Sequence, residues 1–229
     1  MKIKAAIFDM DGVLIDSMPL WKKTIKQIVT DLGSEFTSPR WEAVRAKRID
    51  EIFQFWYEHF GWEEETSPDE ATEQALKTVK EKIKKSEKIK PGAKEAMDFF
   101  DEKNIPIALA SSSFDEIINT VLESLEIEEY FTLTHSAEHE DYGKPHPSVY
   151  IRTAEKLDVK PEKCIVFEDS VNGAIASKAA SMHCVPVPET NVSPNTFCMV
   201  DKVIYSLNAW NEEYFKKIKN KMEATLDYV

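Results

Sequence analysis

Two carboxylates stand two positions apart near the start of the chain. Asp9 and Asp11 lie in the segment FDMDG, which directly follows a short apolar run. One carboxylate of such a pair can attack phosphorus while the other protonates the leaving oxygen, which combines covalent with acid/base catalysis. Gly12 gives the chain the freedom to turn, and this turn would bring the second acid over the first. An isolated pair of this kind also fits a surface turn, so other residues must decide between the two.

Three later segments carry polar residues that suit the handling of phosphate. They are the serines 111–113 in ALASSS, Lys144 in GKPHP, and the neighbouring acids Glu168 and Asp169 in FEDS. Taken singly, each has a plain structural explanation: the serines cap a helix that starts near Phe114, the lysine belongs to a loop, and the acids cap the following helix. Their occurrence together in one chain favours chemistry over those explanations.

Short β-branched and aromatic runs alternate with amphipathic stretches over much of the chain. Runs typical of buried parallel strands lie at residues 2–9, 105–111, 164–169, 182–188 and 203–207. Helical patterns lie between them at residues 93–100, 114–125, 148–157 and 171–180. This alternation predicts an α/β fold with a Rossmann-like parallel sheet flanked by helices. Asp9, Ser111 and Asp169 then fall at strand ends, where open α/β sheets bind their ligands.

The alternation is interrupted between residues 19 and 88, where the pattern is helical throughout. Apolar residues recur with the 3.6-residue period from Trp21 to Leu32, and a turn at Pro91 and Gly92 restarts the α/β pattern. We therefore predict a small helical-bundle cap domain over residues 17–88, inserted into an α/β core domain of residues 1–16 and 89–229.

The segment FDMDGVLIDS, residues 8–17, resembles the first motif of the haloacid dehalogenase superfamily. The later segments resemble the remaining motifs in the same order. In this resemblance Ser111 is the phosphate-binding hydroxyl, Lys144 is the cation that neutralises phosphate, and Glu168 with Asp169 are the acids that hold magnesium. The resemblance covers essentially the whole chain.

This resemblance implies a phosphatase that works in two steps. Asp9 is expected to form an aspartyl-phosphate while Asp11 protonates the departing oxygen, and Asp11 then activates the water that hydrolyses the intermediate. Phosphoryl transfer also needs charge neutralisation, which Ser111, Ser112, Lys144 and the backbone near Gly12 are expected to supply. Magnesium prefers oxygen ligands, and the expected ligands are Asp9, the backbone carbonyl of Asp11, Glu168 and Asp169.

The helical insertion resembles that of the branch with β-phosphoglucomutase, phosphoglycolate phosphatase and several sugar-phosphate phosphatases. The mutase has a histidine where this chain has Trp21, so Trp21 is expected to influence substrate choice. Arg48 aligns approximately with a cap arginine that grips a distal substrate phosphate, and its alternative explanation is a surface ion pair. Segments at 16–21, 48–57, 168–182 and 185–188 are most similar to bacterial hexitol and 2-deoxyglucose 6-phosphate phosphatases.

Composition limits the partners and the compartment of the protein. The formal charge of −12 and the absence of a basic stripe argue against nucleic acid. No apolar run approaches the roughly 20 residues that cross a bilayer, so no membrane partner is expected. The three cysteines show no metal-binding spacing and cannot all pair with one another. We expect a cytoplasmic protein, a monomer or weak homodimer, whose partner is a small phosphate ester.

The hypothesis that follows is a magnesium-dependent phosphatase that hydrolyses small sugar or sugar-alcohol phosphates through an aspartyl-phosphate. One alternative is a β-phosphoglucomutase-like phosphotransferase, which Trp21 disfavours. Another is a regulator that binds a sugar phosphate without turnover, which the intact set of Asp9, Asp11, Ser111, Lys144 and Asp169 disfavours.

Overall fold

A five-stranded parallel sheet forms the centre of the molecule. The computed structural model describes residues 3–44, 47–62, 65–86, 88–188, 194–200 and 203–224. The strands are β1 (Ala5–Phe8), β2 (Ile107–Ser111), β3 (Phe131–Ser136), β4 (Cys164–Glu168) and β5 (His183–Pro186). Their spatial order is β3-β2-β1-β4-β5, and every neighbouring pair is parallel. The predicted α/β fold class is confirmed.

The sheet order places a topological switch beside the central strand. The chain passes from β1 to β2 and β3 on one side, and then returns to β4 on the other side of β1. In open α/β sheets the crevice outside the carboxyl ends of the strands at such a switch is where ligands bind. The ends of β1 and β4 therefore mark the first place to look for a site.

Helices cover the sheet, as the periodic stretches predict. Those that follow the sheet strands are α5 (Ala93–Asp101), α6 (Asp115–Leu125), α7 (Ser148–Lys156), α8 (Val171–Ala179) and α9 (Glu212–Ala224). β1, β2 and β4 are buried along their whole length, because helices pack on both of their faces. Among the described residues, no helix combines the length and apolar character that crossing a bilayer requires.

The structure differs from the strand predictions in two places: one strand was missed and one predicted strand is absent from the described residues. β3 was not predicted, because this edge strand is only partly buried over Phe131–Ser136 and its sequence FTLTHS lacks a long apolar run. The strand predicted at 203–207 is wrong. Tyr205 is exposed there, and Ser206 accepts a hydrogen bond from the backbone N–H of Asn208, which starts a short 3-10 turn instead.

The described residues between β1 and α5 form four helices, in agreement with the helical pattern predicted for residues 19–88. They are α1 (Met18–Asp31), α2 (Ser38–Val44), α3 (Ile49–Phe60) and α4 (Pro68–Ser86), and we call them the helical insertion. α4 packs against α1 and α3 within the insertion and against α6 beside the sheet. The buried residues of the insertion and one face of the sheet belong to one continuous apolar cluster. This packing holds the insertion over the strand ends, whereas the predicted domain boundaries at 17 and 88 stay a prediction.

Candidate active site

Register brings the chemically active residues of three strands to one edge of the sheet. Phe8 of β1 lies opposite Phe167 of β4 and Leu109 of β2. The backbone N–H of Asp9 continues the ladder by donating to the carbonyl of Phe167 at 3.0 Å. Since the strands are parallel and in step, Asp9, Ser111 and Glu168 all emerge at the same edge.

Lys144 lies at the centre of this group. Its Nζ donates to Asp9 Oδ1 at 2.8 Å and to Glu168 Oε1 at 2.6 Å, and the side chain is only 3% exposed. Burial alone would lower the pKa of Lys144, but the charges of Asp9 and Glu168 raise it above the usual lysine range. The ammonium therefore stays charged, and it faces the carboxylate predicted to attack phosphorus.

Asp9 is buried beside several other acids. Burial raises the pKa of Asp9 well above its ordinary value; Lys144 works in the opposite direction, while the charges of Glu168, Asp169 and Asp11 add to the rise. A further cation beside Asp9 would favour its ionised form.

Asp11 points toward the helical insertion and accepts hydrogen bonds from both sides of the site. Its Oδ2 accepts from Ser113 Oγ at 2.7 Å and, in a long contact of 3.5 Å, from Ser111 Oγ. Its Oδ1 accepts from Trp21 Nε1 at 3.2 Å and from the hydroxyl of Ser17. The second acid is thus oriented by residues of α1 and of the loop after β2.

Gly12 is required by the close approach of Asp169, one of the predicted metal ligands. Its φ is +80°, a conformation that side chains rarely adopt, and a Cβ at this position would lie 2.2 Å from Asp169 Oδ2. The turn that the sequence predicted after Asp11 therefore also makes room for Asp169.

Glu168 is wholly buried and both of its carboxylate oxygens are occupied. Oε1 accepts from Lys144 and from Tyr150 Oη at 2.7 Å, while Oε2 accepts from the backbone N–H and the hydroxyl of Ser170, each at 3.0 Å. Burial works to raise the pKa of Glu168, yet Lys144 and these hydrogen bonds lower it overall. Tyr150 was missed by the sequence analysis because it lies on the buried face of an amphipathic helix.

The acids at this edge have the chemistry of a Mg²⁺ site. Asp9, Glu168 and Asp169 each offer a carboxylate oxygen, and these oxygens lie within 4.8 Å of one another. Three acids face one ammonium, and hard oxygen donors are what Mg²⁺ prefers. The donor set therefore fits the ion. Because the oxygens of Glu168 already accept four hydrogen bonds, Asp9 and Asp169 are the better-placed ligands.

A cavity separates these polar groups from the helical insertion. Its sheet side is formed by Asp9, Asp11, Ser111, Ser112, Ser113, Lys144, Asp169 and Ser170. Its insertion side is mostly apolar and is formed by Met18, Trp21, Ile25, Trp41, Lys47, Ile49 and Ile52. The hydroxyl of Ser112 is buried here and has no hydrogen-bond partner within the described part of the chain. Such a hydroxyl fits a ligand that supplies the missing partner.

The sequence also allows a purely structural role, helix capping, for the serines at 111–113 and for the segment that ends at Ser170. The structure shows capping in the second segment only. The N-cap of α6 is Phe114, whose side chain makes no capping bond, so the serines at 111–113 do not cap this helix. Ser170 does cap α8, because its hydroxyl accepts from the N–H of Gly173. That cap leaves Asp169 facing the cavity.

Arg48 is the predicted site residue that the structure places elsewhere. It is absent from the described lining of the cavity, and its guanidinium binds Asp50 and the backbone carbonyls of Ala137 and Glu140. The expected contact between Arg48 and a substrate phosphate is thus not supported by this geometry. Its neighbour Lys47 lines the cavity instead and was not predicted as a site residue. Trp41, Ile49 and Ile52 also line the cavity and were not predicted, because their apolar spacing is that of an ordinary helix core.

Comparisons with known proteins agree with this geometry. A family model described as haloacid dehalogenase-like hydrolase matches residues 3–181. Hexitol phosphatase B of Escherichia coli strain K12 is 38% identical over 90% of this chain and 93% of its own length. A phosphorylated carbohydrates phosphatase of Thermotoga maritima is 33% identical over 79% of this chain and 82% of its own. The solved β-phosphoglucomutase of Clostridium difficile is 25% identical, with a TM-score of 0.83 over 97% of this chain and 99% of the other.

Proposed function

The chain belongs to the haloacid dehalogenase-like hydrolases and is a phosphoric monoester hydrolase, and from this premise we propose its substrate class and mechanism. We propose that it hydrolyses small sugar or sugar-alcohol phosphates in a Mg²⁺-dependent reaction that passes through an aspartyl-phosphate on Asp9. The observation that carries this proposal is the buried contact between Lys144 and Asp9, directly beside a cavity that is also lined by Ser112, whose buried hydroxyl has no hydrogen-bond partner among the described residues.

The first half of the reaction transfers the phosphoryl group to the enzyme. The phosphate of the ester lies at the sheet side of the cavity, where Lys144 and the hydroxyls of Ser111 and Ser112 bind its oxygens. Asp9 attacks phosphorus as the bond to the leaving oxygen breaks, and protonated Asp11 gives its proton to that oxygen. The products of this step are an alcohol and the aspartyl-phosphate.

The second half releases inorganic phosphate. Asp11, now a carboxylate, takes a proton from a water molecule that attacks the phosphorus of the aspartyl-phosphate. The bond to Asp9 breaks and Asp11 is protonated again. Asp9 and Asp169, with the backbone carbonyl of Asp11 and with Glu168, would hold Mg²⁺, which would neutralise charge on the phosphoryl group.

The choice of substrate is proposed from the relatives and from the cavity wall. The relatives are named as hexitol and phosphorylated-carbohydrate phosphatases. Trp21 and Trp41 offer aromatic surface to the body of the substrate, a kind of surface that packs well against C–H groups. We further propose that residues 17–88 act as a cap domain on the core formed by residues 1–16 and 89–229.

The proposed setting is the cytoplasm, with the protein acting as a monomer or weak homodimer on small molecules. The cysteines Cys164, Cys184 and Cys198 are all free, which agrees with a reducing compartment. The net charge of −12 disfavours nucleic acid as a partner.

A β-phosphoglucomutase-like phosphotransferase is the second candidate, favoured by the similarity to the C. difficile mutase.

Release of inorganic phosphate from a panel of sugar and sugar-alcohol phosphates, with Mg²⁺ and again with a chelator, tests the first proposal. Conversion of β-glucose 1-phosphate to glucose 6-phosphate, with a bisphosphate activator, tests the second. We expect phosphate release that stops on chelation. Isomerisation without net release would favour the mutase, and saturable binding without turnover would favour a regulator.

A further inference from the structure

The loop that leads to Lys144 is held by the start of α3. Arg48 precedes this helix, and its Nη1 donates to the carbonyls of Ala137 at 2.9 Å and of Glu140 at 2.6 Å. One turn later, Glu51 Oε1 accepts from the backbone N–H of Gly143 at 2.8 Å. Three backbone groups between β3 and Lys144 are therefore bound by two side chains of the helical insertion.

Arg48 is itself fixed in place on the insertion side. Its Nε donates to Asp50 Oδ1 at 3.1 Å and its Nη2 donates to Asp50 Oδ2 at 2.7 Å, a bidentate pairing. The side chain is only 12% exposed. Every guanidinium nitrogen is thus engaged, and the guanidinium is largely shielded from solvent, although its partner Asp50 is 33% exposed.

Gly143 shows how closely the loop before Lys144 approaches the start of α3. A Cβ at this position would lie 2.7 Å from Glu51 Oε2 and 3.1 Å from Arg48 Cγ. A side chain at this position would displace the carboxylate of Glu51 and disturb its contact with the loop. The next residue is Lys144, whose ammonium reaches Asp9 at 2.8 Å.

We propose that Arg48 and Glu51 are positioning residues, together the Arg48–Glu51 clamp, that set the place of Lys144 through the 137–143 loop when the helical insertion lies over the sheet. The clamp touches neither the phosphate nor the leaving group. The inference rests on the proposed function, in which Lys144 neutralises the phosphate. It assigns to Arg48 a task different from direct contact with a substrate.

This role makes a distinctive prediction about substrates. Every ester presents the same phosphate to Lys144, so loss of the clamp lowers kcat/KM by the same factor whatever the leaving group. An arginine that bound a distal group of the substrate would instead affect only the esters that carry such a group. Two esters with unlike leaving groups, sorbitol 6-phosphate and p-nitrophenyl phosphate, separate these cases.

The test compares Glu51→Ala, Glu51→Gln and Arg48→Met with two matched controls on the same insertion. Glu58→Ala removes a glutamate of α3 that bonds to Gln54, and Arg40→Met removes an arginine that bonds to Glu35, both within the insertion. Thermal unfolding and circular dichroism establish that each variant is folded. The Kd for inorganic phosphate, measured by calorimetry with Mg²⁺ present, is followed beside kcat and KM.

We expect Glu51→Ala and Arg48→Met to lower kcat/KM about tenfold or more on both esters and to weaken phosphate binding, because displacement of a positioned group by about 1 Å is costly. Glu51→Gln keeps an oxygen that accepts from Gly143 and should retain activity to within about threefold. The controls should match the wild type.

Three results would overturn the clamp: a loss confined to sorbitol 6-phosphate, a Glu51→Gln variant as impaired as Glu51→Ala, or unchanged phosphate affinity in both clamp variants. A wild-type protein that binds phosphate but releases none from any ester would defeat the proposed function alone. In that case the phosphate affinities of the variants still decide whether the clamp positions Lys144.

Discussion

Lys144 Nζ lies 2.8 Å from Asp9 Oδ1, and both side chains are almost completely buried. The same ammonium lies 2.6 Å from Glu168, so one cation joins the predicted nucleophile to an acid of the proposed metal site. A phosphate that enters the cavity would meet this cation next to the oxygen proposed to attack it. The contact explains how a strongly acidic protein can receive an anionic substrate.

Replacement of Lys144 should damage both catalysis and stability. Lys144→Met leaves Asp9 and Glu168 buried without their shared cation, and breaking a buried pair in this way costs about 3–5 kcal/mol. Loss of a charge that stabilises the transition state should lower kcat by about 10²–10³-fold or more. Urea unfolding and steady-state kinetics measure the two effects. A variant with wild-type kcat would exclude Lys144 from phosphate neutralisation.

Tyr150→Phe isolates one hydrogen bond beneath the site. The ring, which lies 5.0 Å from the Lys144 ammonium, is kept, while the 2.7 Å bond from Oη to Glu168 is lost. Hydrogen bonds to buried charges contribute about 1.5–3 kcal/mol, and we expect a loss of this size in the free energy of unfolding. Tyr142→Phe is the control, since Tyr142 is 64% exposed. Equal stability of the two variants would contradict the expectation.

Gly12→Ala should abolish activity through crowding rather than through backbone conformation alone. The new Cβ would lie 2.2 Å from Asp169 Oδ2 and must displace that acid. Gly61→Ala provides a matched comparison, because Gly61 also has a positive φ but a Cβ there would meet its nearest neighbour at 4.0 Å. We expect Mg²⁺ affinity, measured by calorimetry, to fall only for Gly12→Ala. A fall in Mg²⁺ affinity for both variants, or for neither, would contradict crowding of Asp169 as the cause.

The cysteines should differ sharply in their reaction with alkylating reagents. Burial, with a smaller contribution from Glu162, raises the pKa of Cys164 to about 12, and burial likewise raises the pKa of Cys184 to about 12. A raised thiol pKa leaves very little thiolate near pH 8, and the thiolate is the reactive form. Cys198 is exposed. Cys164 is buried, whereas Cys184 is partly accessible to solvent. Mass spectrometry after iodoacetamide treatment should find Cys198 labelled first, Cys184 slowly and Cys164 only on unfolding; early labelling of Cys164 would refute this.

The sequence predicts the sheet edge well because its signals are local. An apolar run that ends in an acid or a serine indicates a strand end, and on this basis Asp9, Ser111 and Asp169 are predicted to lie at strand ends. β3 escaped prediction because an edge strand is buried on fewer sides and needs fewer apolar residues. The run at 203–207 resembles a strand because Ile204 and Leu207 are buried. Its backbone makes one bond to β5, from the N–H of Ile204 to the carbonyl of Pro186, and then turns at Ser206.

The sequence does not predict contacts between distant parts of the chain in the same way. Arg48 binds the backbone carbonyls of Ala137 and Glu140. Since every residue has a backbone carbonyl, the residue types there do not indicate such a contact. Trp41 and Ile49 line a cavity, yet their spacing is that of any helix packed on a core. Tyr150 is one polar group on a buried helix face, and its partner Glu168 becomes known only once the sheet is assembled.

The central claim is that Asp9 carries the phosphoryl group, and trapping of the intermediate tests it most directly. The enzyme is mixed with Mg²⁺ and a sugar phosphate labelled with ³²P on its phosphate, quenched in acid within one turnover, and divided into two portions. In one portion the ³²P bound to the protein is counted; in the other, borohydride reduces the acyl phosphate to a homoserine side chain with release of its phosphate, and peptide mapping locates that residue. We predict protein-bound ³²P in the first portion and the reduction product at position 9 in the second for the wild type, and neither label nor phosphate release in Asp9→Asn. Phosphate release by Asp9→Asn, or label on another residue, would contradict the covalent mechanism.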